Sequence, residues 1–179
     1  MIVEFGHFAL VLAVLVAVYQ MIVPAVGAWR GDGRLMQSGD AAALTQVMLL
    51  AIAFAALTQA YVVSDFSVAN VVANSHSTKP LIYRISGVWG NHEGSMLLWV
   101  LILAIFGAAV AVFGSNLPAT LRANVLSVQA SIAVAFGLFI LFTSNPFERL
   151  SPAPFDGRGL NPILQDPALA FHPPFLYAG

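Results

Sequence analysis

The chain has 179 residues, of which 59% are hydrophobic and only 8% charged, and its formal net charge is −1. A soluble domain carries about 25% charged residues, so the composition predicts an integral membrane protein in contact with the lipid bilayer. The lack of a basic stripe excludes a nucleic-acid partner. The absence of cysteine excludes a disulfide, a thiolate metal site and a covalently attached c-type haem.

Four apolar segments are long enough to cross a bilayer, which takes about 20 residues. They lie at about residues 8–26, 41–63, 94–113 and 125–143, and none of them contains Lys, Arg, Asp or Glu. A fifth apolar segment begins after His172 and ends within a few residues. The prediction is an all-α, polytopic membrane protein with four complete transmembrane helices and the start of a fifth. The 179 residues then form the N-terminal membrane segment of a larger protein.

Charges on either side of the first apolar segment set the predicted orientation. Glu4 precedes this segment without any Lys or Arg, whereas Arg30 and Arg34 follow it. The positive-inside rule therefore predicts an N-terminus outside the membrane. The missing basic n-region also excludes a signal peptide. Residues 64–93 and 144–173 are then external loops.

The second external loop is rich in proline. Seven of the ten prolines in the chain fall between Pro146 and Pro174. A transmembrane helix does not hold that density, because each proline removes a backbone donor and clashes with the preceding turn. The loop also keeps large apolar residues, among them Phe147, Phe155 and Leu160, which a disordered linker lacks. We therefore expect a folded loop that covers the membrane face.

His172, near the end of this loop, is the strongest candidate for a cofactor ligand, since imidazole binds metals and haem iron. Pro173 and Pro174 follow it, so we expect His172 in extended backbone and a proline in the first turn of the next helix. Phe171 and Phe175 flank the histidine, which suits an axial ligand to a flat apolar macrocycle. Spacing alone leaves this interpretation and a simple helix-capping role equally open.

A second polar cluster precedes the third span, in Trp89-Gly-Asn-His-Glu-Gly-Ser95. Polar residues at the edge of a span either line a cavity or cap the helix, and the sequence leaves both interpretations open for His92. His7 and His76 are interpreted as an interfacial and a solvated histidine.

Four motifs occur in the same order as in a known family. They are Tyr61-Val-Val-Ser-Asp-Phe66, the segment from Arg84 to Trp99, Leu141-Phe-Thr-Ser-Asn-Pro-Phe147, and the segment from Gly159 to Tyr177. These motifs resemble the N-terminal part of the CcmF family, the cytochrome c-type biogenesis proteins of the bacterial system I pathway. They also resemble its paralogue NrfE, and this segment does not separate the two.

The resemblance implies a haem-handling subunit of a cytochrome c haem lyase complex in the bacterial inner membrane, with its haem-handling loop in the periplasm. Such a subunit accepts haem b from CcmE, works with CcmH-type and CcmI-type subunits, and holds the haem for thioether attachment to apocytochrome c. His172 matches one of two axial ligands to that haem. The other ligand, and the histidine that binds a structural b-type haem in the full-length family member, have no match here. This segment alone is therefore expected to be inactive as a lyase.

Further candidates for the haem site are His92 and Trp89, with Arg149 and Arg158 as partners for a haem propionate. Two alternatives from other classes remain. One is a transporter or ion-coupled subunit in which His92 and Glu93 line a pathway, although the spans lack the interior ionisable residues that such pathways need. The other is a structural assembly subunit without haem ligation.

Overall fold

The computed structural model describes residues 1–179, and its regular secondary structure is helical. Seven α-helices follow one another along the chain: α1 (Ile2–Arg30), α2 (Gly33–Val62), α3 (Ala69–Asn74), α4 (Leu81–Gly87), α5 (His92–Phe113), α6 (Ala119–Thr143) and α7 (Pro167–Ala178). Two short 3-10 helices, Gly114–Asn116 and Pro162–Gln165, come before α6 and α7. The predicted all-α class is confirmed.

Four of these helices are long and apolar enough to cross a membrane, namely α1, α2, α5 with the 3-10 turn that follows it, and α6. They contain the four predicted spans to within one residue and extend beyond them. The largest extension is at α2, which begins at Gly33 instead of residue 41. There the carboxylate of Asp32 accepts hydrogen bonds from the N–H groups of Arg34 and Leu35 at 2.9 and 3.3 Å, and this cap starts the helix among polar residues.

The chain divides into two compact units. One unit comprises residues 1–8, 52–99 and 140–179, and the other comprises residues 9–51 and 100–139. The second unit contains only parts of the four long helices and the two short connections that join them in pairs. The first unit contains both long loops, and every candidate haem-site residue lies in it.

Buried polar groups of the second unit are mostly uncharged. Gln20 and Ser127 are buried, and Gln20 Nε2 donates to the backbone oxygen of Leu126 at 3.1 Å. Such amide contacts link helices where water is scarce. The ion pair in this unit joins Asp40 to Arg122 at 3.1 Å, near the starts of α2 and α6. The unit therefore offers no chain of ionisable groups of the kind that a transporter pathway uses.

The proline-rich segment of the first unit is held along its length by backbone hydrogen bonds to the segment around α3. The N–H of Leu150 donates to the carbonyl of Ser67 at 2.8 Å, and the N–H of Arg158 donates to the carbonyl of Val72 at 2.7 Å. A Cβ atom on Gly157 would overlap the backbone of the α3 segment, so only glycine allows this approach. The segment is a folded loop despite its prolines.

The seventh helix begins earlier than the sequence indicates, and the expectation of extended backbone at His172 is wrong. The carboxylate of Asp166 caps α7 by accepting from the N–H groups of Ala168 and Leu169 at 2.9 and 3.2 Å. Pro167 then takes the first helical position, where a missing N–H does no harm. His172 consequently lies inside the helix, and Pro173 and Pro174 are accommodated there.

Candidate functional site

His172 is exposed, and its imidazole has no hydrogen-bond or ion-pair partner within the chain. Phe175 and Leu176 follow it by three and four residues, so they share its face of α7. These two side chains are 76% and 62% exposed. An accessible imidazole beside exposed apolar side chains fits the requirements of an axial ligand to haem, whose macrocycle is flat and apolar.

Trp89 holds the helix that carries His172. The indole Nε1 donates to the backbone oxygen of Ala170 at 2.7 Å, and the ring stacks on Phe54 with centroids 6.5 Å apart. From the sequence, Trp89 is a candidate member of the cofactor site itself. The structure gives it a contact with α7, two residues from the candidate ligand.

A network of hydrogen bonds is buried where α3 meets the start of α5. The side chain of Asn70 is buried, and its Nδ2 donates to Asn91 Oδ1 at 2.9 Å and to Glu93 Oε2 at 3.1 Å. Its Oδ1 accepts from the hydroxyl of Tyr61 at 2.5 Å. Asn91 Oδ1 also accepts from the N–H of Gly94 at 2.8 Å, so Asn91 is the residue that caps α5.

A polar cavity of about 440 Å³ lies beside this network. Its lining combines four asparagines, two carboxylates and one histidine with two alanines: Ala69, Asn70, Ala73, Asn74, Asn91, His92, Glu93, Asn145 and Glu148. His92 Nε2 lies 3.1 Å from Ser144 Oγ. His172 does not line the cavity, so the structure does not bring the two candidate histidines to one cavity.

The sequence does not predict Asn70, Asn74, Asn145 or Glu148 as members of this cavity. The sequence does contain a signal for Asn70 and Asn74. They stand four residues apart in an otherwise apolar segment and so share one helix face. The other two residues follow a transmembrane helix, and no local pattern indicates that they face α3.

Arg149, proposed as a propionate partner, already has two carboxylate partners. Its Nε lies 2.9 Å from Glu4 Oε1, and one terminal nitrogen lies 3.0 Å from Asp65 Oδ2 while also contacting Ser67 Oγ. Burial raises the pKa of Asp65, but hydrogen bonds from Ser67 and Arg149 outweigh it and leave this pKa below its ordinary value. A propionate would have to displace these partners.

Arg158, the other proposed propionate partner, is exposed. Its backbone N–H is used in the contact with α3, whereas no hydrogen bond or ion pair engages its guanidinium. Of the two arginines, Arg158 is therefore the one whose charge is available to an anionic ligand.

Lys79 is a buried cation in the same unit, with 8% of its surface exposed. Burial, together with the charge of Arg84, lowers the pKa of Lys79 from 10.5 to about 8. The unfolded chain therefore binds more protons between these two values, so the stability of the fold rises with pH across that window.

We expect Lys79→Met to remove the rise, as measured by thermal unfolding in detergent from about pH 8 to about pH 10.5. If the stability of Lys79→Met still rises with pH as in wild type, Lys79 is not the group responsible for the rise.

The four long apolar helices and the loops folded between them define a polytopic helical membrane protein. Residues 89–179 match the family model described as Cytochrome C assembly protein. Two relatives are each 64% identical over 179 residues, the cytochrome c-type biogenesis proteins ccl1 of Rhodobacter capsulatus and CycK of Rhizobium meliloti. These matches cover 100% of this chain but only 27% and 26% of the relatives.

A solved structure named Cytochrome c Heme Lyase CcmF matches with a TM-score of 0.83 and 25% sequence identity, over 99% of this chain and 28% of that chain. The chain belongs to the cytochrome c assembly protein family, and its resemblance to CcmF is confirmed. A relative named NrfE, from Haemophilus influenzae, also matches at 38% identity. The chain spans about a quarter of the length of the relatives reported above.

Proposed function

We propose that this chain is part of the machinery that matures c-type cytochromes, and that α7 presents His172 as an axial ligand to haem b. The observation that carries the proposal is the exposed, unpartnered imidazole of His172 among exposed apolar side chains on its helix. Family membership supports the pathway. The fixed position of α7 supports the ligand role, because a metal ligand must be held in one direction by its surroundings.

Haem is the substrate of this site, and it is then attached to apocytochrome c. Thioether formation adds the cysteine thiols of the apocytochrome to the haem vinyl groups, so the bond-forming atoms belong to cofactor and substrate. The residues of this chain orient the haem. His172 binds its iron from one side, exposed Phe175 and Leu176 contact the macrocycle, and the available charge of Arg158 pairs with a propionate.

The distribution of basic residues supports an inner-membrane orientation with the N-terminus and the proline-rich loop in the periplasm. Lys79, Arg84, Arg149 and Arg158 all belong to the first unit, whereas Arg30, Arg34 and Arg122 belong to the second. The connections beside Arg30, Arg34 and Arg122 are the shorter ones and so have the higher density of positive charge, and the positive-inside rule assigns such connections to the cytoplasm. Haem supply by CcmE, and presentation of apocytochrome c by CcmH-type and CcmI-type subunits, fit this orientation.

The cellular test compares His172→Ala with wild type in a bacterial host whose own copy of the gene is deleted. We expect the variant to insert in the membrane normally but to yield at least about tenfold less haem-stained cytochrome c, since one iron ligand is lost. His76→Ala is the matched control, because His76 lies in a polar turn and its imidazole pairs with Thr78 and Asp156.

Normal cytochrome c levels with His172→Ala would contradict the ligand role and favour a structural assembly subunit. A loss that His76→Ala reproduces to the same extent would also count against a specific role for His172. Membrane insertion is checked in each strain by immunoblotting of the membrane fraction.

A further inference from the structure

Pro174 leaves a backbone acceptor without its helical partner. In an α-helix the N–H of each residue bonds to the carbonyl four residues earlier, and proline has no N–H. The carbonyl of Ala170 therefore receives no bond from residue 174. Ala170 is only 4% exposed, so water does not readily replace the missing donor. A buried carbonyl without a partner would weaken the helix at this point.

The indole of Trp89 supplies the missing donor. Its Nε1 lies 2.7 Å from the oxygen of Ala170, a normal hydrogen-bond distance. The ring is itself held by the stack with Phe54. The bond therefore connects the turn after α4 to a fixed point in α7.

Gly90, the residue after Trp89, makes a second close approach to the segment that leads into α7. A Cβ atom on Gly90 would lie 3.2 Å from a methyl carbon of Leu160 and 3.5 Å from one of Leu164. Glycine at this place allows the turn before α7 to approach closely, and Leu160 is buried there. The segment Trp89–Gly90 thus holds both α7 and the turn that leads into it.

Pro173 provides a comparison within the same helix. It frees the carbonyl of Leu169 for the same reason that Pro174 frees that of Ala170. Leu169 is 42% exposed, so its carbonyl lies on an accessible side of the helix. Only the carbonyl freed by Pro174 lies on the buried side of α7, and that is the one Trp89 binds.

We propose that Trp89 is the positioning residue for His172, and that its indole N–H replaces the helical hydrogen bond lost at Pro174. Ala170 and His172 are two residues apart, or about 3 Å along the helix axis. Fixing the carbonyl of Ala170 therefore fixes where the imidazole stands and the direction from which it meets the haem iron. The inference rests on the proposed role of His172 as a haem ligand.

The experiment removes the indole donor and then restores a donor from within α7. Trp89→Phe keeps an aromatic ring against Phe54 but has no N–H. Adding Pro174→Ala to this variant supplies a backbone N–H four residues after Ala170. Adding Pro173→Ala instead supplies an N–H to Leu169, and it is the matched control.

Two measurements are made on the intact protein purified in detergent. Titration with haemin, followed by visible absorption, gives the affinity and the fraction of histidine-bound haem. Hydrogen exchange of the backbone reports protection in α7. We expect Trp89→Phe to weaken haemin binding about threefold to tenfold, the factor that corresponds to one hydrogen bond of ordinary net strength, and to lower the protection of α7.

The two double variants decide whether Trp89 positions His172. Trp89→Phe with Pro174→Ala is expected to return to within about twofold of wild-type affinity, whereas Trp89→Phe with Pro173→Ala is expected to stay weak. Equal rescue by Pro174→Ala and Pro173→Ala, or wild-type affinity and haem spectrum in Trp89→Phe itself, overturns the positioning role of Trp89 while leaving His172 as a ligand. If His172→Ala binds haemin like wild type, the haem proposal fails first, and the positioning role fails with it.

Discussion

Replacing His172 with glycine is expected to weaken haemin binding to the purified protein by about 100-fold or more. Removal of a group that merely supports a metal ligand already costs about 10-fold to 100-fold in metal affinity, and the ligand itself contributes more. The expected result also includes loss of the absorption spectrum of histidine-bound haem. Haemin titration in detergent, followed by visible absorption, measures both quantities.

Added imidazole provides the specific control for this variant. His172→Gly leaves space beside Phe175 and Leu176, and free imidazole is expected to enter it and restore the spectrum of imidazole-bound haem. His76→Gly, which removes a histidine bound within a polar turn, is expected to bind haemin like wild type. Retention of the wild-type haem spectrum by His172→Gly before imidazole is added would contradict the assignment of His172 as the ligand.

Replacing Asn70 with aspartate is expected to destabilise the fold more than replacing it with alanine. The side chain donates to Glu93 through Nδ2, and a carboxylate in the same place would face Glu93 as a like charge. Loss of the buried hydrogen bonds in Asn70→Ala is expected to cost about 1–3 kcal/mol. The unpaired buried charge in Asn70→Asp is expected to cost about 3–5 kcal/mol. Thermal unfolding of the two variants in detergent measures the difference.

The pH dependence of the stability of these two variants shows whether the introduced charge causes the extra destabilisation in Asn70→Asp. Burial and the carboxylate of Glu93 raise the pKa of the introduced carboxyl group above its unfolded value of about 3.9. A raised pKa means that stability is lost as pH increases through it. The loss of stability that Asn70→Asp causes relative to wild type is therefore expected to become smaller as the pH falls from about 7 towards about 4. The reason is that the protonated acid again donates a hydrogen bond to Glu93.

A matched variant separates charge from geometry. Asn74→Asp makes the same chemical change one helical turn away, at the half-buried end of α3. Its effect on the unfolding temperature is expected to be smaller and nearly independent of pH over the same range. If both aspartate variants lose stability equally at every pH, the like-charge explanation is wrong.

His172 and the start of α7 show how much local sequence patterns can predict. His172 was identified from its residue type, its prolines and its aromatic neighbours. Its place inside α7 does not follow from the rule that the residue before proline favours extended backbone, because the cap at Asp166 starts the helix six residues earlier and overrides that preference. The Asp166-Pro167 pair is a helix start signal present in the sequence, and its hydrogen bonds to Ala168 and Leu169 fix where α7 begins.

The sequence by itself determined the membrane class, the four spanning helices, the folded proline-rich loop and the family. Each of these follows from properties of contiguous residues, such as apolar length, turn chemistry and long motifs. The tertiary structure alone decided which polar groups meet. Trp89 binds a carbonyl 81 residues away, Asn70 binds Glu93 at a separation of 23, and Arg149 pairs with Glu4 at a separation of 145. No local pattern encodes such partners, because they depend on how the helices and loops pack.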